Sequence, residues 1–357
     1  MAGAAAFLGV VLWWSFPRGG TLDDAEKLFL SGDFDRAESL ALQLANRPDR
    51  AAASLAVAYR SALRAGRTAD AVTHVENIPA EAPQFARLAA EASDLAIHQL
   101  HAFQRAETLL EQAAEVHRDD VDLLERRAFL FGLTGRSTRA EPLRLELARR
   151  GVQTWTMLWL LCLGDDALEN TELLAEIDAS TEDPLTLFAL ARWIGERGDS
   201  PRAITLLQRT LARGAPVDAI VFAGRWARES GDEEELNRLL IQSADTADSP
   251  SLWWLRGVWC EEHGLPREAI RCHAEAVSRQ PNLSRSLLPL SRLLESTGRE
   301  KEARLLRNRA ADLALYLNAV KAVRQEAKQP QWQRVLTLAR QLSLVTEAAG
   351  WWSMGRP

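Results

Sequence analysis

Apolar positions along this chain recur with helical spacing and fall into pairs of segments separated by breakers. A first segment, such as Leu187–Ile194 or Leu252–Cys260, is followed by a glycine and then by a second, such as Arg202–Leu211 or Arg267–Val277. The glycines form a ladder in which a small or apolar residue follows five positions later. The pairs are Gly32/Ala37, Gly66/Ala71, Gly135/Ala140, Gly198/Ala203, Gly231/Leu236, Gly264/Ala269 and Gly298/Ala303. Successive glycines are 34, 69, 63, 33, 33 and 34 residues apart. The 69 is two periods, with Phe103 and Ala106 holding the places of a glycine-free repeat. The 63 divides at Gly164 into 29 and 34, a shortened hairpin. Each glycine is expected to take the positive φ that ends a first helix. Pro48, Pro83, Pro184, Pro216, Pro250 and Pro281 punctuate the junctions, because proline cannot continue a helix. The alanines let the paired helices approach closely.

The period and these residues resemble the tetratricopeptide repeat family. The match is best at Trp253, Gly257, Gly264, Ala269 and Pro281, and departs from the family pattern at Arg256, Cys260 and His273. Tyr59, Ala71 and Pro83 carry it in an earlier repeat. The resemblance spans residues 21–311 and implies an all-α, right-handed α-solenoid of about nine hairpins. Beyond it, Arg299 to Gln329 lacks glycine and proline and predicts an extended capping helix striped by Leu306, Leu313, Leu317 and Val320. Pro330 opens a last hairpin, Trp332–Leu342 and Val345–Trp352, so residues 312–357 form a C-terminal cap.

The first twenty residues read differently. Met1 to Pro17 carry no charge, and Ala4–Phe16 is almost wholly apolar before Arg18, Gly19 and Gly20 interrupt it. The expectation is a single-pass membrane anchor over residues 4–17, with Trp13 and Trp14 at the interface. A cleaved signal on a secreted or periplasmic component is the alternative, although no basic n-region or small-x-small site accompanies the run.

Charge and chemistry narrow the function. The net charge is −6, with 43 basic against 49 acidic residues, which disfavours a nucleic-acid partner. Lysine is confined to Lys27, Lys301, Lys321 and Lys328. The chain holds no nucleotide loop, zinc-protease, nucleophile-elbow or haem motif, so an enzyme is not expected and neither is a cofactor. Cys260, His263, Cys272 and His273 offer soft ligands for a metal- or cofactor-binding module, against the plainer reading of buried thiols as small hydrophobes. Trp159, Trp193, Trp226 and Trp259 each lie five residues before a ladder glycine, which makes them stacking residues between hairpins.

Arg192, Arg225 and Arg292, with Arg60 earlier, stand one residue before such tryptophans or their equivalents. The family resemblance places first helices along a concave groove, and with them these arginines. Planar guanidinium groups suit carboxylates, so the expected partner is a protein or peptide of acidic character held by a non-enzymatic scaffold. The bland alternative is that they pair with neighbouring acids on a solvated face. Trp351 and Trp352 admit two readings, a docked tail or a partner-facing aromatic anchor.

Overall fold

The computed structural model describes residues 20–152, 171–214, 216–243, 249–325 and 329–354. These residues contain nineteen α-helices and no strand. In chain order they are α1 Leu22–Leu30, α2 Phe34–Ala45, α3 Ala51–Arg64, α4 Thr68–Glu76, α5 Phe85–His98, α6 Phe103–Val116, α7 Val121–Leu133, α8 Ser137–Arg149, α9 Thr171–Glu176 and α10 Pro184–Glu196. There follow α11 Ser200–Leu211, α12 Val217–Ser230, α13 Glu233–Gln242, α14 Pro250–Glu262, α15 Pro266–Arg279, α16 Ser284–Ser296, α17 Glu300–Gln325, α18 Gln329–Gln341 and α19 Val345–Met354. The all-α reading is borne out.

The ladder is visible in the backbone. All seven ladder glycines have positive φ, between 69° and 93°. After each, the next N–H reaches back to a carbonyl five residues earlier, as in Leu265 to Cys260 (2.9 Å) and Asp232 to Ala227 (2.8 Å). This closing bond satisfies a carbonyl that the helix end would otherwise orphan. The residues five places on, Ala37, Ala71, Ala140, Ala203, Leu236, Ala269 and Ala303, are all buried. The glycine-free rung is filled by His101, whose φ is +49°, with the Ala102 N–H reaching one residue further back, to Ala96. Gly164 and Trp159 lie outside the described residues.

The chain divides into two compact units, residues 1–123 and 124–357, with the boundary in the first turn of α7. In the first unit α1/α2, α3/α4 and α5/α6 are packed hairpins, and Ala25, Ala41, Val57 and Ala58 are buried between the first of them and α3. Ion pairs tie successive second helices together. Arg67 donates to Asp35 (2.6 Å) and to Glu38, and Glu38 accepts from or shares a proton with His74 (2.7 Å). Arg105 repeats the device one period on, donating from Nε and Nη2 to Glu76 at 2.7 and 2.8 Å.

In the second unit the packed hairpins are α10/α11, α12/α13, α14/α15, α16/α17 and α18/α19. Prolines here open helices: Pro184 and Pro250 occupy the first helical position behind Asp183 and Ser249, which cap α10 and α14. The extended helix expected after the last glycine is α17, 26 residues or about 39 Å long. Its inner face joins α18 and α19 in a cluster around Leu313, Tyr316, Val320, Val335 and Trp351.

One expectation is overturned. Among the described residues no helix is long and apolar enough to cross a membrane. The longest, α17, carries charged residues on either side of a short uncharged stretch from Leu313 to Val320, and the apolar run at 4–17 lies outside the described residues. The single-pass membrane localisation is therefore withdrawn.

Candidate partner-binding pocket

The second unit contains a pocket of about 790 Å³ bounded by α13, α14 and α15. Local signals fix these three helices. Asp232 accepts the Glu235 N–H (3.0 Å) at the start of α13, and Ser249 accepts the Leu252 N–H (3.2 Å) at the start of α14. Gly264 closes α14 and Pro266 opens α15.

At the pocket α13 ends and an arginine of α14 meets its last turn. Helix α13 has 10 residues, against 12 in α11 and 14 in α15. Arg256, at a place where the family pattern prefers leucine, donates from Nη2 to the Ser243 carbonyl (2.6 Å) and so caps the end of α13. Its guanidinium also lies 4.9 Å from the Trp253 ring centre, and Arg279 approaches the same ring at 5.4 Å. Burial pushes the Arg256 pKa below its usual value. Around this bridge the walls are apolar: Leu240, Ile241, Trp253, Trp259 and Leu265, with the buried thiols of Cys260 and Cys272. Ile241 is 75% exposed and Leu265 39% exposed, so the walls extend into solvent.

Burial disfavours the thiolate form of both cysteines. Burial pushes Cys260 up to about 11, and the adjacent Cys272 adds to it; burial raises Cys272 as well. Both are protonated at neutral pH, where a reactive cysteine would be a thiolate. The four-residue soft-ligand set is dispersed. His273 faces Glu261 (Nε2 to Oε1, 2.8 Å) and Ser286 (3.4 Å), and burial drives its pKa down against the raising pull of Glu261. His263 stacks on Trp259 with ring centres 4.1 Å apart. Among the described residues no three His, Cys, Asp or Glu side chains are placed to hold one metal ion.

The arginines occupy different environments. Arg192 is 14% exposed, lies against Gly135 and stands 3.8 Å from Glu196. Arg225 is half-buried, 6.0 Å from the Phe222 ring, and has no ion-pair partner among the described residues. Arg292 is exposed and is likewise without an ion pair among them. The corresponding position in α14 is Val258, which interrupts the series. Arg60, in the first unit, is bound to Glu26 (3.1 Å) and sits over Phe29 (5.1 Å).

Two of the repeating tryptophans have visible stacking partners. Trp226 rests on Gly195 of the preceding hairpin, and Trp259 enters the clusters on both sides of α14. In the sequence Trp253 is legible only as a pattern residue, and Ile241 and Leu265 carry no signal. An apolar residue at a helix end gives no sign of being left uncovered.

No protein-family model matches the chain, and no curated protein matches it. Among solved structures it is similar to MamA of AMB-1, at 20% identity over 49% of this chain and 96% of that one, with a TM-score of 0.32. It is similar also to the human IFIT1 dimer with PPP-AAAA (13%, 93% and 88%, TM-score 0.33) and to yeast Tom70 (11%, 94% and 80%, TM-score 0.35).

Proposed function

We propose that this chain is a non-enzymatic helical-repeat scaffold that binds a protein or peptide partner through its second unit. The observation that carries this reading is the solvent-open apolar pocket of about 790 Å³ on α13–α15. Its size lies within the ordinary range for sites that engulf an apolar group, about 300–1,000 Å³. Its two tryptophans are of the type that dominates binding energy at protein interfaces. The protonated thiols and the dispersed histidines support binding over chemistry.

Arg225 and Arg292 are proposed as further contacts, since neither guanidinium is committed to an acid among the described residues. Arg192 and Arg60 are proposed with less reach, because each would have to leave Glu196 or Glu26 to engage a partner.

The test places a photo-crosslinking amino acid at position 241 of the full chain. A crosslinked protein must bind the purified chain directly, and must be lost from an Ile241→Asp/Leu265→Asp variant that keeps its helical content. Direct binding that survives that variant but fails with Arg225→Glu/Arg292→Glu would move the site to the arginines. No direct binder under either condition would sink the scaffold reading.

A further inference from the structure

We infer that the pocket on α13–α15 recognises a peptide segment in which a large apolar side chain is flanked by carboxylates. This rests on the scaffold reading and specifies its partner.

Shape comes first. An apolar pocket rimmed by exposed Ile241 and Leu265 gains most by burying a side chain of leucine size or larger, at about 25 cal/mol per Å² removed from water. Trp253 and Trp259 present aromatic surface to it, favouring a flat or branched anchor.

Charge then selects the flanks. Among the described residues the lining holds two guanidinium groups, Arg256 and Arg271, against one carboxylate, Glu268, a positive balance on a chain of net charge −6. The two arginines differ in availability. Arg256 is committed to the Ser243 carbonyl and the Trp253 face. Arg271 is exposed, lies beside Cys272 and near Cys260, and has no ion-pair partner among the described residues. It is therefore the group that meets an incoming carboxylate, through the bidentate geometry that guanidinium and carboxylate share. A lysine-flanked segment would meet Arg271 with like charge and be rejected.

The position is informative too. Two of the three bounding helices, α13 and α15, are second helices of their hairpins, whereas Arg225 and Arg292 stand on first helices, α12 and α16. The pocket and those arginines are separable by mutation.

The experiment measures fluorescence anisotropy of the full chain with eight-residue labelled peptides. Each carries a central Leu-Trp pair flanked by Glu, Gln or Lys. The Glu-flanked peptide is expected to bind about tenfold more tightly than the Gln-flanked one, with the Lys-flanked peptide weakest. Arg271→Gln should erase the difference between Glu and Gln flanks while leaving apolar binding in place. Ile241→Asp/Leu265→Asp should abolish binding of all three; both positions are exposed, so the fold is retained. Equal affinity for Glu and Gln flanks would overturn the charge selection. Binding indifferent to Ile241→Asp/Leu265→Asp would overturn the site, and binding of none of the peptides would overturn the inference outright. In each of those cases a direct crosslinked partner at position 241 would still uphold the scaffold.

Discussion

Gly195 of α10 lies directly beneath the indole of Trp226 on α12: a Cβ built at position 195 would stand 2.1 Å from Cζ2 of that ring. No real contact is that short, so the tryptophan occupies space that only glycine leaves open. The same relation recurs one hairpin later, where a Cβ on Gly224 would stand 2.5 Å from Leu255. Successive first helices thus stack by a large side chain set into a glycine notch. Gly195→Ala should overpack this joint and destabilise the second unit by about 1–3 kcal/mol. Urea denaturation of the full chain, followed by tryptophan fluorescence, reads this directly. A midpoint equal to wild type would mean that the notch has slack the structure does not show.

The ladder glycines make a different, purely backbone demand. Around Gly264, with φ of +69°, an added Cβ would have open space and no neighbour within 4 Å. Any cost of Gly264→Ala is therefore conformational, about 1–2 kcal/mol for an alanine in the left-handed region. Asparagine tolerates that region better, so Gly264→Asn should cost less. Thermal melts of the two variants check the order, and a larger loss for asparagine would point to side-chain crowding instead.

The neighbouring tryptophans at the C-terminal end have opposite roles. Trp351 is 1% exposed, donates its indole N–H to the Tyr316 hydroxyl (3.2 Å) and meets Trp332 edge-on at 6.1 Å. Trp352 is 49% exposed, with Arg340 5.8 Å from its ring. Trp351→Ala should cost about 3–5 kcal/mol through the cavity it leaves. Trp352→Ala should change stability by less than about 0.5 kcal/mol. Chemical denaturation separates them, and similar losses for the two would contradict the assigned burial.

Stability should also depend on pH through two carboxyls of the second unit. Burial raises the pKa of Glu141 on α8, which accepts a hydrogen bond from Gln280 (3.2 Å), and also that of Glu347 on α19, to which the Glu141 charge adds. The Gln280 hydrogen bond and then Arg144 pull the other way on Glu141, and the backbone of α19 on Glu347, but burial is the largest influence on both. A raised pKa means the folded chain holds these protons more tightly than the unfolded one. Their contribution is fully present below the ordinary glutamate pKa of about 4.3 and is lost as pH rises through the raised folded values. Glu141→Gln and Glu347→Gln should therefore raise the melting temperature at pH 7–8 and leave it nearly unchanged near pH 4. Equal shifts at both pH values would show that titration is not the cause.

The repeat was legible because its signals are local. A glycine that must take positive φ, a proline that cannot continue a helix and an alanine at a close crossing each act within a few residues. Even the missing rung kept a positive φ, with His101 at +49° where the other hairpins use glycine. The stacking tryptophans were legible for the same reason, since a repeat position keeps its environment from one hairpin to the next. The arginine series was only half legible. Spacing aligned Arg192, Arg225 and Arg292, but packing put Arg192 against Gly135 and left Arg292 in solvent.

The amino-acid sequence by itself determined the period, the hairpin boundaries and the all-helical class, because each follows from backbone restrictions carried by single residues. Only the tertiary structure decided where a pocket would open. That outcome depends on α13 ending at Gln242, and on Arg256 reaching the Ser243 carbonyl thirteen residues back in the chain. It also depends on how much of Trp253, Ile241 and Leu265 the neighbouring helices leave uncovered. These are sums over many weak contacts between separate helices, and no short stretch of sequence records them.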